Sequence, residues 1–133
     1  MIVIDASAVI ELLLGGERGR PVERWLVDHE GQLHAPALLD LEATQALRRL
    51  VSAGHVAEPR GRAAVEILQD LPVDRHASTA LLPRIWELRG NLTAYDAAYI
   101  ALAEALACPL LTYDTRIAEA PGLRVEVLAP EDS

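Results

Sequence analysis

Short apolar runs along the chain alternate with longer segments in which apolar residues recur every three or four positions. The run Ile2-Val3-Ile4 ends at Asp5, and the run Leu110-Leu111-Thr112-Tyr113 ends at Asp114. Short apolar or β-branched runs of this kind predict buried strands. Further short strands are predicted at 33–35, 73–74 and 124–128.

Helical patterns fill the segments between these strands. Pro36 is predicted to open a strong helix over 36–53, with Gly54 as its C-terminal stop. The other predicted helices cover 7–14, 17–30, 60–71, 76–89 with a kink or restart at Pro83, 93–107 with Thr93 as its cap, and 115–120. Strands that alternate with helices predict an α/β domain around a small, mostly parallel sheet with helices on both faces. In such sheets ligands bind in the crevice at the carboxyl ends of the strands.

Length and composition indicate the number of domains and the cellular compartment. The 133 residues suit one domain, and 51% of them are hydrophobic, with 4% aromatic and no Phe. The single Cys108 has no intramolecular partner, which favours a reducing compartment. The N-terminus lacks the basic segment of a signal peptide, and no uncharged apolar run reaches the roughly 20 residues that span a bilayer. We therefore expect a soluble, cytoplasmic protein that spans no membrane.

Charge excludes some functions and leaves others open. The net charge is −8, and all 12 basic residues are Arg, which argues against nonspecific nucleic-acid binding through a basic surface. His29, His34, His55 and His76 form neither an HxxxH motif nor a Cys/His ligand pair, so a zinc site is not expected. No Gly-rich phosphate loop follows a strand, which disfavours a Rossmann enzyme.

Two carboxylates stand at the ends of predicted strands. If the strands before Asp5 and Asp114 are parallel neighbours, both side chains emerge at the same edge of the sheet. Each residue has an alternative interpretation as the N-cap of the helix that follows it.

Two further carboxylates lie on predicted helices. Glu42 has Leu38, Leu39, Gln45 and Ala46 as its neighbours at three and four residues, so it stands in a mostly apolar stripe unless it reaches solvent on the Gln45 side. Asp96 is the third helical residue after Thr93, where it completes a variant capping box or faces a pocket near the core. Asp40 falls on another helix face and is interpreted as a solvated charge.

The four carboxylates indicate a metal site only when they are considered together. Carboxylates about 4 Å apart repel by roughly 1–4 kcal/mol per pair, depending on the dielectric environment. Such a cluster is tolerated only when it is protonated or neutralised by a cation, and all-oxygen ligands favour Mg²⁺ or Mn²⁺ over zinc. The sequence therefore predicts a hard-metal site formed by Asp5, Glu42, Asp96 and Asp114.

Four segments together resemble a PIN domain, and in particular the VapC-type toxins of toxin–antitoxin pairs. They are Val3-Ile4-Asp5-Ala6-Ser7-Ala8, Leu38-Leu39-Asp40-Leu41-Glu42-Ala43, the stretch from Leu92 to Ala103, and Leu110-Leu111-Thr112-Tyr113-Asp114. The resemblance covers nearly the whole chain, and the stretch from Tyr95 to Ala103 is its most specific part. It implies one PIN-like domain over residues 1–133, with three α/β/α layers around a parallel sheet of four or five strands.

The resemblance also implies a function. It makes Asp5, Glu42, Asp96 and Asp114 an acidic quartet that holds Mg²⁺ or Mn²⁺, with Ser7 and Thr112 as supporting hydroxyl residues. The implied reaction is endonucleolytic hydrolysis of RNA, typically tRNA or ribosomal RNA, leaving a 5′-phosphate and a 3′-hydroxyl. The implied partners are a small VapB-type antitoxin and a second copy of the chain in a homodimer.

Several alternatives remain open at this point. The chain is either such a toxin, a PIN nuclease of RNA processing or decay, or a PIN-fold binding module that cleaves nothing. Arg48, Arg49, Arg60 and Arg62 are interpreted as a phosphate-binding cluster or as a solvated polar face. Arg116, two residues after Asp114, is the single best RNA-binding candidate, with a surface helix residue as the alternative.

Overall fold

A computed structural model describes residues 1–28 and 32–130 of the chain. Its strands are β1 (Ile2–Ile4), β2 (Leu33–Pro36), β3 (Val73–His76), β4 (Leu110–Leu111) and β5 (Val127–Leu128). Within the described residues these strands form one sheet in the order β3-β2-β1-β4-β5, and every neighbouring pair is parallel. The predicted parallel sheet is confirmed.

Helices follow the strands along the described part of the chain. They are α1 (Ala6–Leu14), α2 (Gly19–Asp28), α3 (Leu39–Ser52), α4 (Glu58–Asp70), α5 (Leu82–Glu87), α6 (Ala94–Leu106) and α7 (Thr115–Glu119), with a 3₁₀ turn at Thr79–Leu81 before α5. None of these helices is long and apolar enough to cross a membrane.

Two groups of helices cover the sheet and make the three layers of the predicted α/β/α fold. In one group α1 packs on α2, α3 and α4, and in the other α5 packs on α6, which lies against β1, β2 and β4. The central strand β1 is inaccessible to solvent along its whole length, at Ile2, Val3 and Ile4. A strand buried on both faces explains why its sequence is a continuous apolar run.

The order of the strands creates a crevice at one edge of the sheet. The chain leaves β1 for β2 on one side, whereas β4 pairs with the other side of β1, through Val3 with Leu110 and Ile4 with Leu111. Connections that leave a strand pair in opposite directions open a crevice beyond the carboxyl ends of those strands. The residues directly after β1 and β4 therefore meet at this point.

Two helix starts predicted from the sequence are wrong. Pro36 ends β2, where it aligns with His76, and helix α3 begins only at Leu39. His76 ends β3 and does not open a helix; the helical structure that follows is the 3₁₀ turn and then α5, with Pro83 in its first turn. The predicted end of the second helix, at residue 30, lies outside the described residues, as does His29.

Candidate active site

Asp5 sits where β1 passes into α1, and three hydrogen bonds fix its carboxylate. The Ser7 hydroxyl donates to Oδ1 at 2.6 Å, the backbone N–H of Ala8 donates to the same oxygen at 3.2 Å, and the Thr112 hydroxyl donates to Oδ2. Only 5% of the residue is exposed. Burial, with a smaller contribution from the negative charge of Asp114, raises the pKa of Asp5 to about 6 against the opposing effect of the three hydrogen bonds.

Ser7 and Thr112 also tie the ends of β1 and β4 together. The backbone N–H of Tyr113 donates to the Ser7 hydroxyl at 2.9 Å, and that of Asp114 donates to the Thr112 hydroxyl at 2.9 Å. The two hydroxyl oxygens are 3.3 Å apart. This network fixes Asp5 relative to the backbone that carries Asp114.

Glu42 reaches the same region from the first turn of α3. It is half-buried, and its Oε1 accepts a hydrogen bond of 2.7 Å from the phenol of Tyr99, which is 2% exposed on α6. Burial raises the pKa of Glu42, and the negative charge of Asp96 adds to that effect. Tyr99 received no role from the sequence, although it lies three residues after Asp96 and therefore on the same helix face.

Asp96 occupies the first turn of α6, as the sequence predicted. The Thr93 hydroxyl accepts from the backbone N–H of Asp96 at 3.1 Å and caps the helix. The Asp96 carboxyl is half-buried, and burial followed by the negative charge of Asp114 raises its pKa. Capping and placement near the other carboxylates therefore occur together at this position.

Asp114 lies just beyond β4 and caps the short helix α7. Its Oδ1 accepts from the backbone N–H of Arg116 at 3.0 Å and from Arg116 Nε at 3.1 Å, and its Oδ2 accepts from Arg116 Nη2 at 2.8 Å. These contacts with Arg116 lower the pKa of Asp114. Arg116 was considered as an RNA-binding residue or a surface residue, and in the structure it is the ion-pair partner of Asp114.

The four carboxylates influence one another across the crevice. The charge of Asp114 raises the pKa of both Asp5 and Asp96, and the charge of Asp96 raises the pKa of Glu42. Within residues 1–28 and 32–130, no three His, Cys, Asp or Glu side chains are already grouped as a metal-ligand set. Three of the four carboxylates bind partners of their own: hydroxyl groups at Asp5, a phenol at Glu42 and a guanidinium at Asp114.

An open cleft of about 660 Å³ runs from this crevice between α1 and α3. Its site end carries Ser7 and Asp114, and its walls contain apolar residues together with the basic side chains of Arg18, Arg49 and His55. The Arg18 guanidinium also lies over the Tyr113 ring, 4.3 Å from its centroid. The cleft therefore offers two guanidinium groups near the carboxylates, and that of Arg18 is paired with Glu11, another lining residue, at 3.3 Å.

Several charged residues outside the site have partners within the chain. Arg62 pairs with Glu58 of its own helix and Arg60 donates to the Leu14 carbonyl, so two of the four arginines near α3 and α4 have partners within the chain. Asp40 is not simply solvated: both of its carboxylate oxygens accept from Arg75 Nε, at 3.0 and 2.9 Å.

Two histidines that are distant in sequence form a pair outside the site. His34 Nδ1 and His76 Nε2 are 2.9 Å apart on neighbouring strands β2 and β3. Ligand spacing in the sequence gives no sign of this pair, because it depends on the pairing of β2 with β3.

Comparison with known proteins places the chain in a family. Residues 2–123 match the PIN domain. The chain is 45% identical over 126 residues to ribonuclease VapC1 of Mycobacterium tuberculosis, covering 94% of each protein, and 44% identical over 119 residues to ribonuclease VapC9 of the same species, covering 90% of each. Ribonuclease VapC12 is 39% identical over 127 residues, covering 96% of this chain and 97% of that protein.

Solved structures share the fold. PAE2754 of Pyrobaculum aerophilum superposes with a TM-score of 0.71 at 25% identity, covering 98% of this chain and 84% of that one. Mycobacterium tuberculosis VapC20, a toxin that cleaves the sarcin–ricin loop, superposes with a TM-score of 0.67 at 19% identity, covering 94% and 98%, and this likeness concerns the fold alone. The chain therefore belongs to the PIN-domain family and, within it, groups with the VapC ribonucleases.

Proposed function

We propose that this chain is a Mg²⁺- or Mn²⁺-dependent endoribonuclease and the toxin of a VapBC-type pair, with Asp5, Glu42, Asp96 and Asp114 as its metal-binding and catalytic residues. The observation that carries the proposal is the placement of these four carboxylates around the crevice beyond β1 and β4, where the charge of Asp114 raises the pKa of Asp5 and Asp96 and the charge of Asp96 raises the pKa of Glu42. PIN-domain ribonucleases generally use divalent metal ions.

The donor chemistry of the site fits such an ion. All four candidate ligands are carboxylate oxygens, which are the preferred ligands of Mg²⁺ and Mn²⁺. The raised pKa values of Asp5, Glu42 and Asp96 mean that their charges are poorly compensated by the protein itself. Asp5 and Asp96 would hold the ion together with Asp114, and Glu42, on helix α3, would orient the attacking water or help to hold a second ion.

The chain's own residues supply orientation and proton transfer. A bound divalent ion supplies Lewis-acid stabilisation of charge on the scissile phosphate. Ser7 and Thr112 keep Asp5 in one orientation. Glu42, held by the Tyr99 phenol, accepts a proton from the attacking water. The water oxygen bonds to phosphorus, the bond from phosphorus to the 3′-oxygen breaks, and that oxygen takes up a proton from solvent water, which leaves a 5′-phosphate and a 3′-hydroxyl.

RNA would approach through the cleft between α1 and α3. Arg18, Arg49 and His55 are basic groups within it, in a chain whose net charge is −8. With so few cations the protein would contact only a few phosphates, so the affinity for RNA should fall only shallowly as salt increases. This arrangement favours a specific RNA over indiscriminate binding, and tRNA or ribosomal RNA is the substrate class that we propose.

The proposed partners follow from the toxin assignment. A small VapB-type antitoxin would restrain the chain, a second copy would complete a homodimer, and the enzyme would act in the cytoplasm, where its RNA substrates are. These partners agree with the VapC names of its relatives.

Cleavage of RNA by the purified chain tests the catalytic part of the proposal. Total RNA is incubated with the metal-stripped protein after Mg²⁺, Mn²⁺ or no ion is added back. We expect discrete products with either ion, none without it, and a loss of at least a hundredfold in rate for Asp96→Asn. Asp70→Asn, which changes an exposed carboxylate at the end of α4, is the matched control. Equal rates for wild type and Asp96→Asn would contradict the proposal.

Growth of a bacterial host tests the toxin part. Induced expression of the wild type should arrest growth, whereas Asp96→Asn should be harmless at equal protein level. Co-expression of a short reading frame adjoining the gene should relieve the arrest. An active ribonuclease that leaves growth unchanged would instead indicate a nuclease of RNA processing or decay, and a protein that cleaves nothing would indicate a binding module.

A further inference from the structure

Arg116 holds both oxygens of the Asp114 carboxylate. Its Nε donates to Oδ1 at 3.1 Å and its Nη2 donates to Oδ2 at 2.8 Å, the forked geometry that arginine forms with carboxylates. The Arg116 side chain is 82% exposed, whereas that of Asp114 is 21% exposed. The guanidinium is therefore held by this ion pair and not by packing.

This ion pair occupies a group that the proposed metal site needs. A cation that takes Asp114 as a ligand requires at least one of the two oxygens that Arg116 now engages. The guanidinium and the cation also repel each other, and the charge of Arg116 extends to Asp96 as well. The two positive groups therefore compete for the same side of the crevice.

The competition is weak enough to be reversible. Exposed ion pairs contribute little to stability because water and salt screen them and the side chains lose freedom. A divalent ion that engaged several carboxylates at once would outcompete a single exposed guanidinium. After release, Arg116 stays beside the site, because its backbone N–H remains bonded to Asp114 and Ile117 anchors the same helix at 1% exposure.

We propose that Arg116 is an exchangeable counter-ion: a divalent cation displaces its guanidinium from Asp114, and the released guanidinium binds an RNA phosphate next to the scissile bond. This inference rests on the proposed function. It gives Arg116 two successive partners, first a carboxylate and then a phosphate, and each presents a pair of anionic oxygens that match the two donors of the guanidinium. The exchange keeps the positive charge of Arg116 close to the site throughout.

Mn²⁺ binding provides the first test. Isothermal titration of metal-stripped protein is compared for wild type, Arg116→Ala and Arg116→Lys. We expect Arg116→Ala to bind Mn²⁺ two- to fivefold more tightly, because the competitor is gone, with Arg116→Lys between the two. Arg62→Ala is the matched control, because Arg62 also forms an exposed ion pair, with Glu58, on a different helix. We expect no change in its affinity for Mn²⁺.

RNA binding provides the second test, and here the loss of Arg116 should lower the affinity. The apparent Kd for a single-stranded RNA is obtained from single-turnover cleavage at saturating Mn²⁺. Arg116→Ala should weaken this Kd three- to tenfold, and Arg89→Ala, which removes an exposed arginine just after α5, should leave it unchanged. If the role of Arg116 were purely structural, its removal would not increase the affinity for Mn²⁺ and decrease the affinity for RNA.

The outcomes separate this inference from the proposed function. If wild type binds Mn²⁺ and cleaves RNA but Arg116→Ala binds Mn²⁺ no more tightly, the exchange is overturned. If the metal affinity rises but the RNA Kd is unchanged, the phosphate contact is overturned. If wild type itself binds no Mn²⁺ and cleaves no RNA, the proposed function fails, and the inference fails with it.

Discussion

Replacing Asp5 by Asn should stabilise the metal-stripped protein at neutral pH while abolishing cleavage. At 5% exposure Asp5 is an ionised group in a dry environment, and Asn removes the charge while keeping the size. The Asn carbonyl oxygen can still accept from the Ser7 hydroxyl and from the backbone N–H of Ala8. The adverse change is at Thr112, whose hydroxyl donates to Asp5 and would have to accept from the new amide instead.

The pKa of Asp5 sets the size and the sign of this effect. Its folded-state value of about 6 lies above the ordinary value of 3.8, so between these values the native state binds the proton more tightly than the unfolded chain does. Stability from this group is therefore complete below the ordinary pKa and is lost as the pH rises through about 6. One pKa unit corresponds to 1.36 kcal/mol, so the loss is about 3 kcal/mol. Subtracting about 1 kcal/mol for the altered contact with Thr112 leaves a net gain of about 2 kcal/mol for Asn at pH 7.5.

Urea unfolding in EDTA at pH 4 and at pH 7.5 measures this difference. The free energy of unfolding of Asp5→Asn should exceed that of wild type by about 2 kcal/mol at pH 7.5. At pH 4, where Asp5 is already protonated in the native state, the variant should show no gain in stability. Asp70→Asn, at an exposed position, should show no such dependence on pH. A difference between Asp5→Asn and wild type that is the same at both values of pH would refute the reasoning, because it would mean that charge burial is not its cause.

Three further predictions follow from contacts around the site and its support. Tyr99→Phe removes the hydrogen bond to Glu42 that lowers the pKa of Glu42, so the rising limb of the pH–rate profile should move to higher pH and the unfolding free energy should fall by about 1 kcal/mol; an unmoved profile would contradict this. Arg84→Ala leaves Glu104, whose side chain is 11% exposed, without its ion-pair partner, so urea unfolding should show a loss of about 2–3 kcal/mol with an unchanged cleavage rate at 25 °C. Because the proton on Asp5 must leave before the carboxylate binds a cation, calorimetric Mn²⁺ affinity should rise as the pH increases from 5 to 7.5, and an affinity independent of pH would count against Asp5 as a ligand.

The fold was largely predictable because its strands carry a strong apolar signal, but helix starts were not. Pro36 satisfied the rule that proline opens a helix, yet it is the last residue of β2, and α3 begins at Leu39 without a side-chain cap. In α4 the same rule holds, since Pro59 lies in its first turn. Local sequence does not distinguish these prolines, because the pairing of β2 with β3 decides the first case.

The candidate site shows why local interpretation left each carboxylate ambiguous. Asp5 and Asp114 are indeed N-caps, of α1 and α7, and Asp96 lies in the capped first turn of α6. The capping alternative is therefore true and does not exclude the site alternative, because these helices all start at the crevice. The contact of Glu42 with Tyr99 was not predictable, since it joins residues 57 positions apart and depends on how α3 and α6 pack.

The distribution of pKa shifts bears on why these carboxylates are kept together. Asp5, Glu42 and Asp96 all have raised pKa values, and Asp114 has a lowered one because Arg116 pairs with it. A group of carboxylates kept only for helix capping would need neither the burial nor the mutual repulsion, since an exposed Ser or Asn caps equally well. A divalent cation among them would turn each repulsive interaction into a shared attraction, and this argues that the arrangement is maintained for the ion and not for the stability of the fold.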